Sequence, residues 1–282
     1  MSAEPATLEL TEVRGPSAVG GGAHRFFELL WLISVTEFKK TFFGTVLGYV
    51  WSLVRPLMLF AILLLVFTQI FKLGSAVAHY PVLLLFNIVL FGFFQEGTGG
   101  AVSSVLAQEG IVRKTQFPRL VIPLSVVLTA LFTLGLNMIV VVVFLFAFGV
   151  DPMWTWLLLP VILAPLLILT SALAMLLSAL NVRFRDVAII WVVAATALNY
   201  GTPIIYPLEI VPTRLAHLLM VNPLTPIFQQ AHIWIIDPQA QSVLSMAGGW
   251  LPLIGAAIIY LTVCILGVWV FNREAPRIAE QL

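Results

Sequence analysis

The sequence predicts an all-α integral membrane protein: six transmembrane helices, an N-terminal amphipathic interface helix, and short external re-entrant or gate helices between spans five and six. Three observations lead there. Of 282 residues, 61% are hydrophobic and 10% charged, with a mean hydropathy of +1.06, against about 45–50% apolar and about 25% charged in soluble domains. A water-soluble chain of this length cannot hide so much apolar surface, so lipid is the solvent for most of it. Backbone polar groups at membrane depth must be satisfied locally, which leaves helices or a closed barrel. Unbroken runs such as Met138–Phe148 lack barrel alternation. The third observation is a lopsided distribution of positive charge, developed below.

Taken in order, residues 1–24 are polar and rich in Gly, Ser and Pro, and read as a disordered cytoplasmic tail. They lack the apolar core of a secretory signal, so the first span is expected to act as the insertion signal. Residues 25–50 interleave Phe26, Phe27, Trp31, Phe38 and Phe42 with Glu28, Glu37, Lys39 and Lys40. That mixture suits an amphipathic helix lying in the membrane interface. A first spanning helix is the alternative, at the cost of placing Glu37-Phe38-Lys39-Lys40 in mid-segment.

A span needs about 20 mostly apolar residues. Within 51–271 six segments qualify, near Leu53–Phe71, Val82–Leu106, Leu120–Phe148, Trp156–Leu180, Val187–Ile205 and Trp250–Phe271. The second is interrupted by Gln95-Glu96-Gly97-Thr98-Gly99-Gly100, which predicts a break there. Between spans five and six, about 206–249, the apolar pieces Leu215–Val221 and Ile227–Ile236 are too short to cross and read as two short helices dipping into or lying on the surface. Residues 272–282 read as a cytoplasmic C-terminal tail. Six spans put both termini on one side, and twelve of the fourteen Lys and Arg fall there, leaving Lys72 and Arg214 opposite. The positive-inside rule then places both termini in the cytoplasm. The expected location is the plasma (inner) membrane, crossed several times.

As an enzyme the chain looks poor. The four histidines, His24, His79, His217 and His232, fall outside the predicted spans with no metal-ligand spacing. No Gly-x-x-x-x-Gly-Lys-Ser/Thr loop is present to cradle a nucleotide phosphate, and no carboxylate pair is placed for acid–base work. No catalytic residue, metal or cofactor is therefore assigned to this chain. Asp186, after Arg183 and Arg185, reads as an ion-pair or capping residue. The single Cys264 sits in an apolar run, where it reads as a small buried hydrophobe. Glu96 alone is ionisable near mid-membrane, and it reads either as a group lining a polar pathway or as part of a water-exposed helix break facing a partner. The loop at about 107–119 holds Gln108, Glu109, Arg113, Lys114, Phe117, Pro118 and Arg119. It sets topology, and a short helix carrying Arg113, Lys114 and Phe117 also makes a docking knob for a cytoplasmic partner.

Several motifs resemble the ABC-2 permease family, in particular the branch that exports O-antigen, capsule, teichoic acid and cell-wall galactan. Glu37-Phe38-Lys39-Lys40 followed by Leu47-Gly48-Tyr49-Val50-Trp51 and Pro56 resembles its N-terminal segment, although the family continues the basic pair with Arg-Tyr where this chain has Thr41-Phe42. Val112-Arg113-Lys114, Phe117-Pro118-Arg119 and Pro123 are similar to its coupling helix and the start of the next span. Asn181-Val182-Arg183-Phe184-Arg185-Asp186-Val187 resembles its later cytoplasmic turn, and Pro203-Ile204-Ile205-Tyr206-Pro207 with Asn222-Pro223-Leu224-Thr225 resembles its external segment. The likeness runs in order over about residues 28–271.

The resemblance implies a half-transporter: two copies of this chain form the pore, and two copies of a separate ABC ATPase, holding ATP and Mg, dock on the coupling helices. Phe38, Lys39, Lys40 and Trp51 then belong to the interface helix. Pro203, Tyr206, Pro207, Asn222 and Pro223 belong to the external gate. The substrate is a lipid-linked glycan in contact with membrane lipid, and no nucleic acid is implied. Twenty Phe, eight Trp and five Tyr make up 12% of the chain. Aromatic faces suit sugar rings, which makes Phe91, Phe94, Glu96, Trp191 and Tyr200 the candidate pore lining. Interface belts and helix packing are the other common use of aromatics. Competing expectations are an ABC-2 exporter of a small hydrophobic drug or lipid, an ion-coupled carrier, and a membrane-embedded enzyme. Drug-type members usually lack the amphipathic N-terminal segment, a carrier normally needs paired intramembrane charges, and an enzyme needs a catalytic constellation.

Overall fold

The computed structural model describes residues 22–43, 48–70, 79–110 and 118–275. It is all helical among those residues. Helix α1 spans Ala23–Phe43, and α2 spans Gly48–Leu65 and tightens into a π-helical turn, Val66–Ile70. Helix α3 is Tyr80–Val102, followed after Ser103 by the single turn α4, Ser104–Ala107. Then come α5, Val121–Ala147, and α6, Leu159–Arg183, led in by a 3-10 turn at Trp154–Leu158. Helix α7 is Val187–Gly201. A 3-10 turn at Leu208–Ile210 and the short helices α8 (Thr213–Leu219), α9 (Leu224–Ile235) and α10 (Val243–Met246) lead to α11, Trp250–Glu274.

Five of these helical stretches are long and apolar enough to cross a membrane: Val50–Ile70, Tyr80–Val102, Val121–Ala147, Trp154–Arg183 and Trp250–Glu274. The remaining apolar stretch, α7, expected as span five, ends at Gly201, where Thr202 turns extended, so it is shorter than the Val187–Ile205 segment expected. At about 1.5 Å per residue it reaches roughly 22 Å, less than a full hydrocarbon core. The first transmembrane helix begins earlier than expected, at Gly48, and so Trp51 stands on α2 rather than on the interface helix.

Helix α3 is the hub of the bundle. Within its membrane window 78% of residues are buried, against 6% for α2 and 11% for α11. It packs on α2, α5, α6 and α7. Its glycines explain how. A Cβ on Gly97 would stand 2.8 Å from Thr170 Cγ2 of α6, and one on Gly100 would stand 2.8 Å from Val126 Cγ1 of α5. Both glycines therefore let α3 press against a neighbour. This corrects the predicted break at residues 95–100: α3 runs continuously through them, because tertiary contact outweighs the weak helix propensity of glycine. Helices α11 and α6 meet the same way. Gly267 lies directly against the Ala172 carbonyl, and the Tyr260 hydroxyl donates to Pro165 O at 3.1 Å.

Helix α1 docks along α5. Ser34 is fully buried there, its hydroxyl donating to Leu30 O at 2.7 Å and reaching Ser125 O at 3.3 Å. Thr129 Oγ1 of α5 donates back to Ser34 O at 3.3 Å. The rings of Trp31 and Phe38 meet Phe132 edge-on at 5.4 and 5.6 Å. Helix α1 also bares Phe27 and Leu32. Outward apolar stripes also mark α2 (Met58, Ile62, Leu65), α7 (Ile189, Ile190, Val193) and α11 (Leu251, Ile254, Ile258, Ile265). Exposure of that kind is unfavourable in water and expected in lipid or against another membrane helix.

Candidate functional site: a polar stripe on α3 and the two ends of the bundle

Helix α3 is buried all round except for one stripe. Gln95, Glu96, Gly99, Gly100 and Ser103 are exposed, and they recur at the three- and four-residue spacing that lines up one helix face. Every member is polar or lacks a side chain. The Glu96 carboxylate accepts a hydrogen bond from Thr133 Oγ1 of α5 at 3.4 Å, and Arg55 on α2 acts on it electrostatically. Nothing stands within 4 Å of where a Cβ on Gly99 would be. A polar stripe, open at Gly99, on the central helix of an apolar bundle provides hydrogen bonds and steric room where lipid would provide neither. Sequence reading singled out Glu96 but missed Thr133 and Arg55; the signal for Thr133 is a hydroxyl within the apolar run of α5.

The aromatic candidates divide. Phe91 and Phe94 are 2% and 1% exposed, their ring centroids lie 5.6 Å apart, and Phe94 sits 6.2 Å from buried Trp191. These three rings are packed in the core of this chain. Hydrophobic burial placed them there, and an aromatic in an apolar helix gives no sign of which face it occupies. Tyr200, by contrast, is 66% exposed near the end of α7.

At the end of the bundle where α3 begins, the candidate gate residues are tied into one network. Tyr80 donates its hydroxyl to Ile205 O at 2.7 Å, and Asn87 Nδ2 donates to Pro203 O at 3.1 Å, so the turn after α7 is anchored to α3. Asn222 Nδ2 donates to Thr202 Oγ1 at 2.9 Å and Gly201 O at 3.3 Å, while its Oδ1 accepts from Leu224 N at 3.1 Å. That one side chain joins the end of α7 to the start of α9. The Tyr206 hydroxyl donates to Tyr200 O at 2.9 Å, and burial pushes its pKa up, so it stays protonated. Pro203 and Pro207 are buried beside these bonds, and Pro223 sits half-buried at the start of α9. Thr155 donates to Trp234 O, and the Trp156 indole donates to Ile235 O at 2.9 Å, fixing α9 from the other side.

At the opposite end, Gln108 caps α4 and Glu109 follows half-buried. Pro118 and Arg119 are buried where α5 begins. Arg113, Lys114 and Phe117 lie outside the described residues. Lys39 and Lys40 are exposed near the end of α1, where Lys40 Nζ pairs with Glu37 at 2.7 Å. Neither end, nor the stripe, gathers three or more metal-ligating side chains among the described residues.

Residues 28–234 match the model of the ABC-2 type transporter family. The chain belongs to that family. Among relatives, this ABC-2 permease is 31% identical over 266 residues to the O-antigen export system permease protein RfbA of Klebsiella pneumoniae, a match covering 91% of this chain and 95% of that one. A protein of the same name from Myxococcus xanthus is 28% identical over 226 residues, covering 78% of this chain and 86% of its own length. The family match takes in most of α1, the α3 stripe and the tied network up to α9. As an ABC-2 permease the chain is a transport subunit without a nucleotide-binding domain of its own.

Proposed function

We propose that this ABC-2 permease is the transmembrane subunit of an exporter that moves a lipid-linked polysaccharide from the cytoplasm across the plasma membrane, driven by ATP hydrolysis on a separate chain. The observation that carries this reading is the likeness, over 91% of the chain, to permeases of O-antigen export. The tie between α7 and α9 through Asn222, and the polar stripe on the hub helix, support it.

In this reading α7, with the turn after it, is the fifth of six spans, and both termini face the cytoplasm. Two copies associate, and two ATPase chains holding ATP and Mg dock on the segment from Gln108 to Arg119, with Arg113, Lys114 and Phe117 as the contact. Helix α1 carries Phe38, Lys39 and Lys40 along the inner interface and transmits closure to α5 through Ser34. The elements between Pro203 and Pro223 form the outer gate. Glu96, with Gln95 and the open Gly99, lines the path, where exposed hydroxyl and carboxylate groups trade hydrogen bonds with a passing sugar.

The test is co-purification with the cognate ATPase. The wild-type chain is expected to yield a stable complex of two and two subunits, and the triple variant Arg113→Glu, Lys114→Glu, Phe117→Ala is expected to lose the ATPase while still dimerising. Equal binding by the variant would reduce the loop to a topology signal, and no binding by the wild type would overturn the ATP-driven reading.

A further inference from the structure

Under α9, the segment after α7 and the first half of α3 enclose a cavity of about 10 Å³, room for one water-sized occupant. Three elements each bring a polar group to its wall: Asn87 from α3, Glu209 from the Leu208–Ile210 turn and His232 from α9. Asn87 commits its NH2 to Pro203 O at 3.1 Å, which leaves its Oδ1. That oxygen, both Glu209 carboxylate oxygens and His232 Nε2 are buried with no hydrogen-bond partner among the described residues. Asn87 and His232 are each only 3% exposed. Gln229 lines the same cavity, its NH2 donating to Gln241 O at 3.0 Å, and no Lys or Arg does. Buried charges in proteins are paired or coordinate a metal ion. Here the pair is not made, because Glu209 Oε1 stands 4.0 Å from His232 Nδ1, beyond hydrogen-bonding distance. An ion bound to oxygen and to imidazole nitrogen at about 2.0–2.2 Å each can span up to about 4.2 Å between them. The gap is too wide for a hydrogen bond and wide enough for an ion.

We propose that Asn87, Glu209 and His232 form a binding site for a divalent transition-metal cation of the Zn²⁺ class, which staples α9 and the segment after α7 to α3. The carboxylate supplies charge and the imidazole a nitrogen. The third donor is an amide oxygen rather than a further His, Cys, Asp or Glu. Three protein donors leave one tetrahedral position, for a water or the Gln229 carbonyl oxygen. Mixed nitrogen and oxygen donors suit Zn²⁺. Mg²⁺ holds on to several waters, for which the cavity has no room, and Ca²⁺ takes about six to eight oxygens. The Glu209 side chain is 22% exposed, which gives the ion a side to enter by. Around the cavity the same elements are already held by the Tyr80, Asn222, Thr155 and Trp156 bonds, so the ligands converge before the ion arrives. That the staple lies at the outer gate rests on the orientation proposed above. The metal site itself does not.

Hydrogen exchange of the tag-free full-length chain in lipid nanodiscs, stripped with EDTA and then given Zn²⁺ or Mg²⁺, tests this without the ATPase or substrate. Zn²⁺ at about ten times its Kd is expected to raise protection of Leu208–Ile210 and Phe228–Ile235 roughly tenfold, while α5 stays unchanged. Mg²⁺ is expected to have no effect. Each variant is read against its own stripped state, so a change in basal stability does not enter. Glu209→Gln and His232→Gln are expected to abolish the gain. Glu209→Asp, which keeps the charge on a shorter arm, is expected to retain it at higher Zn²⁺. No gain in the wild type, an equal gain with Mg²⁺, or a full gain in Glu209→Gln or His232→Gln would each overturn the site. Loss of ATPase binding or export, with the Zn²⁺ gain intact, would instead count against the transport reading.

Discussion

Thr133 on α5 donates a hydrogen bond to the Glu96 carboxyl on α3 at 3.4 Å, holding an ionisable side chain on the open stripe of an otherwise buried helix. A carboxylate in an apolar bundle is costly unless it has partners or water. Here it has both a hydroxyl partner and an open side. On the proposed path, Glu96→Ala is expected to slow export about tenfold, the effect of losing roughly one charge-assisted hydrogen bond in transit, with the complex still assembled. Thr133→Val is expected to do the same more mildly. Export assayed in cells against the amount of assembled complex separates a path defect from a folding defect. Full export by Glu96→Ala would remove the stripe from the path.

Glycine packing makes a second prediction with an internal control. Gly97→Leu drives a side chain into Thr170 and is expected to cost about 1–3 kcal/mol. Gly267→Leu is expected to be worse, because the group it meets is the Ala172 backbone carbonyl, which cannot swing aside. Gly99→Ala meets nothing within 4 Å and is expected to leave stability intact. Melting temperatures in detergent should fall most for Gly267→Leu, less for Gly97→Leu and least for Gly99→Ala.

Asn222 supplies a third. Its side chain makes bonds to Gly201 O, Thr202 Oγ1 and Leu224 N. Asn222→Ala is expected to cost about 1–3 kcal/mol locally and to raise hydrogen exchange at residues 202–206 and at the first turn of α9. Exchange in α5 and α6 should not move. Protection unchanged at residues 202–206 would show that the Tyr80 and Asn87 ties suffice alone.

The docking of α1 supplies a fourth. Ser34→Phe puts a large ring where the hydroxyl now reaches Ser125 O, and it is expected to lift α1 from α5. If α1 transmits closure, the variant complex should hydrolyse ATP yet export several-fold less per ATP, a ratio readable in one preparation. An unchanged ratio would make α1 an anchor only.

Much of this was legible from residue patterns, and the misses share a cause. Long apolar runs fix helices because lipid leaves the backbone few options, so α2, α3, α5, α6 and α11 fall near their predicted bounds. Gln95–Gly100 misled because glycine lowers local propensity while also permitting close helix contact, and only the neighbours at Thr170 and Val126 decide which effect wins. Glu209 and His232 went unnoticed as a pair: they lie twenty-three positions apart in sequence, and only the packing of α9 onto the turn after α7 brings them to 4.0 Å.

The most direct test of the central claim is transport itself. The permease would be reconstituted with its ATPase in vesicles carrying a lipid-linked polysaccharide labelled on the ATPase-accessible face. ATP with Mg should move the label to the protected side, and a hydrolysis-dead ATPase should leave it in place. ATP hydrolysis by a well-formed complex with no movement of any lipid-linked polysaccharide, alongside movement of a small hydrophobic compound, would contradict the account.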